Sequence, residues 1–141
     1  DKDLPNAERI WELPDPSVNI IKASIFCDDS AVMDSAYVLQ RELGQLFTFA
    51  PSGNAWIDAM QPGVSKASGI AQLAEHYGID RDEVIAFGDS MNDYEIIRFV
   101  GTGCAMENAR PALKAVADRV VGCNRDHAVQ QELRHVLESL A

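Results

Sequence analysis

Apolar positions recur along this chain with two different rhythms, and the point where the rhythm changes divides it. Val18 to Cys27 is rich in β-branched and aromatic residues and reads as a strand. Asp28-Asp29-Ser30 offers a turn and an N-cap. Val32, Ala36, Leu39 and Leu43 then fall on one helical face, with Gly44 as a stop. Leu46–Ala50 and Ala55–Met60 read as a strand pair around the turn Pro51-Ser52-Gly53-Asn54. With a short helix over residues 4–12, broken by Pro14 and Pro16, residues 1–61 give the order α, β, α, β, β. The hairpin favours an antiparallel sheet with helices on one side.

Gln61-Pro62-Gly63 is the linker candidate, and strands alternate with helices after it. Ser65 is placed to cap a helix with the apolar face Ile70, Leu73, Ala74 and Tyr77, ended by Gly78. Val84–Phe87 reads as a strand, Glu95–Val100 as a short helix and Gly101–Ala105 as a second strand. Asn108 is expected to cap a helix with Pro111 in its first turn; Arg119–Val121 makes a third strand. Asp126 is expected to cap a last helix carrying Val129, Leu133, Val136, Leu137 and Leu140. The fold class is therefore α/β: part of a doubly wound, Rossmann-like parallel sheet over 62–141, preceded by part of an α+β unit with antiparallel strands over 1–61.

Composition narrows the partners. With 141 residues, 47% hydrophobic, the chain is able to bury a core, and its net charge of −10 argues against a nucleic-acid backbone or an anionic membrane surface. No apolar run approaches the ~18 residues of a membrane span, and no stretch of these residues reads as a signal peptide. Cys27, Cys104 and Cys123 are too scattered for a disulfide framework or a zinc knuckle, and read as reduced thiols of a cytoplasmic protein. His76, His127 and His135 are not spaced as a ligand set. Trp11 and Trp56 read as packing residues, and Gly101-Thr102-Gly103 opens a strand where a dinucleotide loop would follow one. The chain begins at Asp1 with a polar stretch, which reads as a cut start.

The chemistry concentrates at Gly88-Asp89-Ser90-Met91-Asn92-Asp93. Open parallel sheets bind ligands at the carboxyl ends of their strands, and this string follows the apolar strand Val84–Phe87. Gly88 frees the backbone for a sharp exit, and Asp89, Asn92 and Asp93 supply hard oxygen donors suited to Mg2+, which needs only one or two protein carboxylates. The plain alternative is a turn at Asp89 and a helix cap at Asp93. Lys66 stands in the first turn of a helix, where the dipole disfavours a cation; alone it would pass for a solvated surface lysine. A lysine there is equipped to contact a phosphoryl oxygen and to hold a nearby carboxylate ionised.

Gly63-Val64-Ser65-Lys66-Ala67, the strand leading into Gly-Asp-Ser-Met-Asn-Asp, and Cys104-Ala105-Met106-Glu107-Asn108-Ala109 together resemble the Cof-type phosphatases of the haloacid dehalogenase superfamily. Lys114-Ala115-Val116-Ala117-Asp118 and Asn124 fit the same pattern, and the resemblance is most specific over residues 55–126. It implies a core with an inserted cap, and Mg2+-dependent hydrolysis of small phosphate monoesters, sugar phosphates among them, through an aspartyl-phosphate. It implies that Lys66 binds the phosphoryl group and the nucleophile, that Asp89 is a metal ligand, that Asn92 contacts phosphate or orders the site, and that Asp93 holds a metal-bound water or Lys66. Residues 17–61 become the second half of the cap, and 62–141 the C-terminal half of the core. One departure stands at His127-Ala128, where the family often has Asp-Gly.

The family's nucleophile, an aspartate of an Asp-x-Asp motif ending a buried strand, has no counterpart here. Asp1-Lys2-Asp3 has the spacing without the strand; Asp28-Asp29-Ser30 has the strand without the spacing. The 141 residues alone are therefore expected to lack meaningful phosphatase activity, since phosphoryl transfer depends on the whole constellation. The strand over 84–87 is expected to be an open apolar edge, paired by a missing N-terminal core segment or by a second copy. The competing class is a non-catalytic α/β module that binds metal or phosphate and regulates; it lacks the acidic cluster on a first strand that a receiver domain would need.

Overall fold

The computed structural model describes residue 12 and residues 19–52 and 55–139. The helix expected over 4–12, the pair Asp1/Asp3 and the turn residues Gly53-Asn54 lie outside that set, apart from residue 12.

Two three-stranded sheets stand on either side of the Gln61–Gly63 turn. The first contains β1 (Lys22–Phe26), β2 (Thr48–Ser52) and β3 (Trp56–Met60), in the order β1-β3-β2 and antiparallel throughout. Helix α1 (Val32–Leu43) covers one face of this sheet. Its Val32 and Ala36 meet Ile57, which is fully buried, with Leu39 and Phe49 packed around them. The period-2 rule then places Lys22, Ser24, Thr48, Ala50, Asp58 and Met60 on the opposite face, as their register partnerships require. β1 begins later than the sequence pattern suggests, and Asp28 caps a short turn at Asp29–Ala31 by accepting from the Ser30 amide and hydroxyl.

The second sheet is parallel, in the order β4-β5-β6, with β4 (Ile85–Gly88), β5 (Thr102–Met106) and β6 (Arg119–Val121). Helices α2 (Lys66–Tyr77), α3 (Tyr94–Phe99), α4 (Pro111–Lys114) and α5 (Ala128–Ser139) connect or follow these strands. The core joins Ile97, Ala105, Met106, Leu113 and Ala128, and Cys104 is buried beside it, which pushes its thiol up from the ordinary range. Among the described residues β4 has an unpaired edge, as expected. No helix among them is long and apolar enough to cross a membrane.

Three local expectations are corrected. Asn108 does not cap α4: Arg110 holds that position without a side-chain cap, because the Asn108 amide is drawn to Asp89. Asp126 does not cap α5, since Asn124–Asp126 closes into a tight turn and the chain enters α5 through His127. His127 takes φ 55°, ψ 34°, so the loop keeps a left-handed residue although a histidine supplies it. Gly88 is not in a left-handed conformation. It is required for space, because a Cβ there would lie 2.5 Å from the Cβ of Asp93.

Candidate active site

Each sequence-predicted site residue lies at the carboxyl end of β4 or across from it. Ser65 caps α2 with a reciprocal pair of bonds: its hydroxyl accepts from the Ser68 amide, and its amide donates to the Ser68 hydroxyl. That cap fixes Lys66 as the first residue of α2. Its Nζ reaches Oδ1 of Asp93 as an ion pair, although the lysine side chain is half exposed while that of Asp93 is 8% exposed.

Asp93 is the hub of the cluster. Its Oδ2 accepts from the amides of Asp89 at 3.0 Å and Ser90 at 3.1 Å, so one buried carboxylate ties the strand-exit loop to the lysine. A carboxylate there is stabilised by two backbone N–H donors and by the cation beside it. The plain reading of Asp93 as a turn former is thus true, but incomplete, because its second oxygen is committed to a residue 27 positions away.

Asp89 is exposed at the sheet edge, with its carboxylate open on one side and held by a long bond of 3.4 Å from Asn108 Nδ2. Its carbonyl accepts from the Arg110 amide at 3.3 Å. The Cys123 thiol lies 3.5 Å from the Asn108 carboxamide oxygen and 3.1 Å from that of Asn124, with one proton to donate between them. Asn92 sits in the turn Met91–Asp93, and its Oδ1 is buried without a hydrogen-bond partner. A buried carboxamide oxygen is costly when unpaired, so it points to a missing cation or donor.

These observations test the site for Mg2+. The available donors are the Asp89 carboxylate and the Asn92 oxygen, both hard; no group of three His, Cys, Asp or Glu converges among the described residues. An ion that keeps most of its waters fits such a partial set, whereas zinc would demand a fuller one. Asn108 and Arg110, which line the same depression as Lys66 and Asp89, were not singled out as site residues from sequence. Asn108 lies in the motif Glu107-Asn108-Ala109, but its residue type alone suggests a cap.

A second hollow of about 280 Å³ opens beside the first. Its walls come from β2, β3 and Met33 on one side and from Val64–Lys66, Met91, Asn92, Tyr94 and Glu95 on the other. Lys66 and Asn92 border both hollows. No sequence pattern announced this space, because it is assembled from segments far apart in the chain.

Comparison with known proteins fits this geometry. The family model for haloacid dehalogenase-like hydrolases matches residues 3–133. The 5-amino-6-(5-phospho-D-ribitylamino)uracil phosphatase YbjI of Escherichia coli is 36% identical over 117 residues, which is 83% of this chain and 43% of that protein. The HMP-PP phosphatase of Citrobacter koseri is 32% identical over 126 residues, 88% of this chain and 46% of the relative. A haloacid dehalogenase/Cof-like hydrolase from Plasmodium vivax superposes with a TM-score of 0.76 at 27% identity, over 83% of this chain and 42% of that one. The chain thus spans less than half the length of these relatives. On this match and on the motifs clustered around Asp93, the chain belongs to the haloacid dehalogenase-like hydrolases, of the Cof type.

Proposed function

We propose that this chain supplies the phosphate- and metal-binding side of a Mg2+-dependent phosphatase acting on small phosphate monoesters. The observation that carries the reading is the shared carboxylate of Asp93, which fixes both the Lys66 ammonium and the loop that presents Asp89. Such a pairing sets a cation and a metal ligand at one strand end, as phosphoryl transfer requires. In this reading residues 62–141 are half of the core and residues 1–61 part of the cap. The relatives above are named for small phosphorylated molecules, which supports a substrate of that size.

Lys66 would bind the phosphoryl oxygens and keep the nucleophile ionised. Asp93 would aim that lysine, and Asn92 would contact the phosphoryl group through its Nδ2 amide or a cation through its unpaired oxygen. Asp89 would hold Mg2+, which when bound neutralises charge on the phosphoryl oxygens. The nucleophile, an aspartate that becomes an aspartyl-phosphate, would come from polypeptide outside these 141 residues. The three unpaired thiols suit a cytoplasmic location.

The test is turnover of 4-nitrophenyl phosphate and acetyl phosphate by the whole protein that carries this chain, with Mg2+ and with EDTA. Asp89→Asn and Lys66→Ala are each expected to lower kcat by about 100-fold or more, as for other groups that stabilise charge in the transition state. Turnover that survives EDTA or Asp89→Asn would sink the reading. Catalysis by the 141-residue polypeptide alone, abolished in Asp89→Asn, would show that no outside nucleophile is needed.

A further inference from the structure

The hollow beside the Asp89 depression has a charge pattern that selects what it admits. It shares Lys66 and Asn92 with the depression, so a phosphoester held at Lys66 has this hollow as adjoining room for its alcohol part. Met33, Phe49, Met60, Val64, Met91 and Tyr94 give it mostly apolar walls. Three charged side chains border it: Lys66, Asp58 and Glu95.

Two of the three are already committed. Lys66 is paired with Asp93. Asp58 accepts from Lys22 Nζ at 3.2 Å and from the Ser24 hydroxyl at 2.7 Å, and its side chain is only 13% exposed. Glu95 is exposed and, among the described residues, takes part in no ion pair. Its place in the first turn of α3 suits the helix dipole, but a dipole end leaves the carboxylate open to a further cation. A second anionic group on the substrate would therefore meet Glu95 with no counter-ion beside it, whereas a protonated amine would find an uncommitted carboxylate next to an apolar wall.

We propose that the hollow receives an alcohol part with an apolar body and a cationic amine, and that Glu95 is the residue that discriminates against anionic substituents. The proposal rests on the phosphatase reading for its orientation, but its charge preference stands on the hollow alone.

Benzyl phosphates test it in the whole protein that carries this chain, with 4-aminomethyl or 4-carboxy substituents as a pair of similar size. Attraction of the amine and repulsion of the carboxylate at an exposed acid are each worth a few-fold, so kcat/KM should favour the amine by about tenfold. The preference should shrink towards unity in Glu95→Gln and invert in Glu95→Lys. Glu138→Gln changes net charge equally on a remote part of α5 and should leave the ratio as it was. A parent ratio at or below one, a ratio that ignores both Glu95 variants, or one that follows Glu138 equally overturns the proposal. If neither benzyl ester is turned over, a second measurement decides the proposal, while the phosphatase reading stands or falls on 4-nitrophenyl phosphate and acetyl phosphate. Saturation-transfer NMR would compare 4-(aminomethyl)benzyl alcohol with 4-(hydroxymethyl)benzoate, and preferential binding of the amine, lost in Glu95→Lys, supports the assignment. Equal binding of the two, or binding of neither, refutes it.

Discussion

Replacing Asp93 by asparagine tests whether one carboxylate really joins the loop to the lysine. The change keeps size and shape, and removes one acceptor face together with the charge. If the remaining oxygen stays towards the Asp89 and Ser90 amides, the new amide nitrogen faces the Lys66 ammonium, donor against donor. If the group turns over, the two backbone amides lose their acceptor instead. Bonds to a charged acceptor contribute ~1.5–3 kcal/mol and neutral ones ~0.5–1.5, so two weakened bonds cost about 2 kcal/mol. The lysine side chain is 51% exposed, so its ion pair adds no more than about 1 kcal/mol.

The expected loss is therefore about 2–3 kcal/mol for Asp93→Asn, and at most about 1 for Lys66→Met. Urea unfolding followed by far-UV circular dichroism measures both, on the whole protein carrying the chain. With a slope of ~2 kcal/mol/M, Asp93→Asn should lower the midpoint by more than about 1 M without changing the slope. The reasoning fails if Asp93→Asn is within about 0.5 kcal/mol of the parent, the range of an ordinary surface change. It fails equally if Lys66→Met costs as much as Asp93→Asn, because the backbone amides would then not be the main debtors of that carboxylate.

Three further outcomes follow from the geometry. Gly88→Ala would force a Cβ to within 2.5 Å of Asp93 Cβ, so it should destabilise by ~1–3 kcal/mol and shift the Asp89 amide resonance in NMR spectra; a variant as stable as the parent would show that the space is not needed. His127→Gly removes a left-handed penalty of about 1–2 kcal/mol and adds about 0.5–1 of unfolded-chain entropy, so the net should be a small gain in melting temperature. A fall in melting temperature would mean that the His127 side chain has a role its backbone does not reveal. The isolated 141-residue chain, with β4 unpaired at its edge, should self-associate at micromolar concentration in sedimentation velocity, and Ile85→Lys should reduce this; a parent chain that stays monomeric and folded contradicts the edge argument.

What the sequence made legible was whatever depended on neighbours in the chain. Ser65 capped its helix and Gly78 ended it in a left-handed turn, because both effects are settled within four residues. The alternation of strands with helices after residue 62 gave the parallel sheet, and the apolar stripe Val32-Ala36-Leu39 gave the covered face of the antiparallel one. The failures have different causes: Asp126 is taken up by the local turn Asn124–Asp126, while at Asn108 and Gly88 another side chain intervenes. Asn108 has the residue type of a good cap, but its amide lies between Asp89 and Cys123, 19 and 15 positions away. Gly88 looked like a conformational glycine until Asp93 was folded against it. Glu95 carried no signal at all, since an acid in the first turn of a helix is the default choice. It borders the second hollow only because the other sheet brings Asp58 and apolar walls to the same space. Local pattern thus singled out Lys66 and the Gly88–Asp93 loop, which the fold ties together through Asp93. The second hollow is assembled between elements far apart in the chain, and so is legible only from the fold.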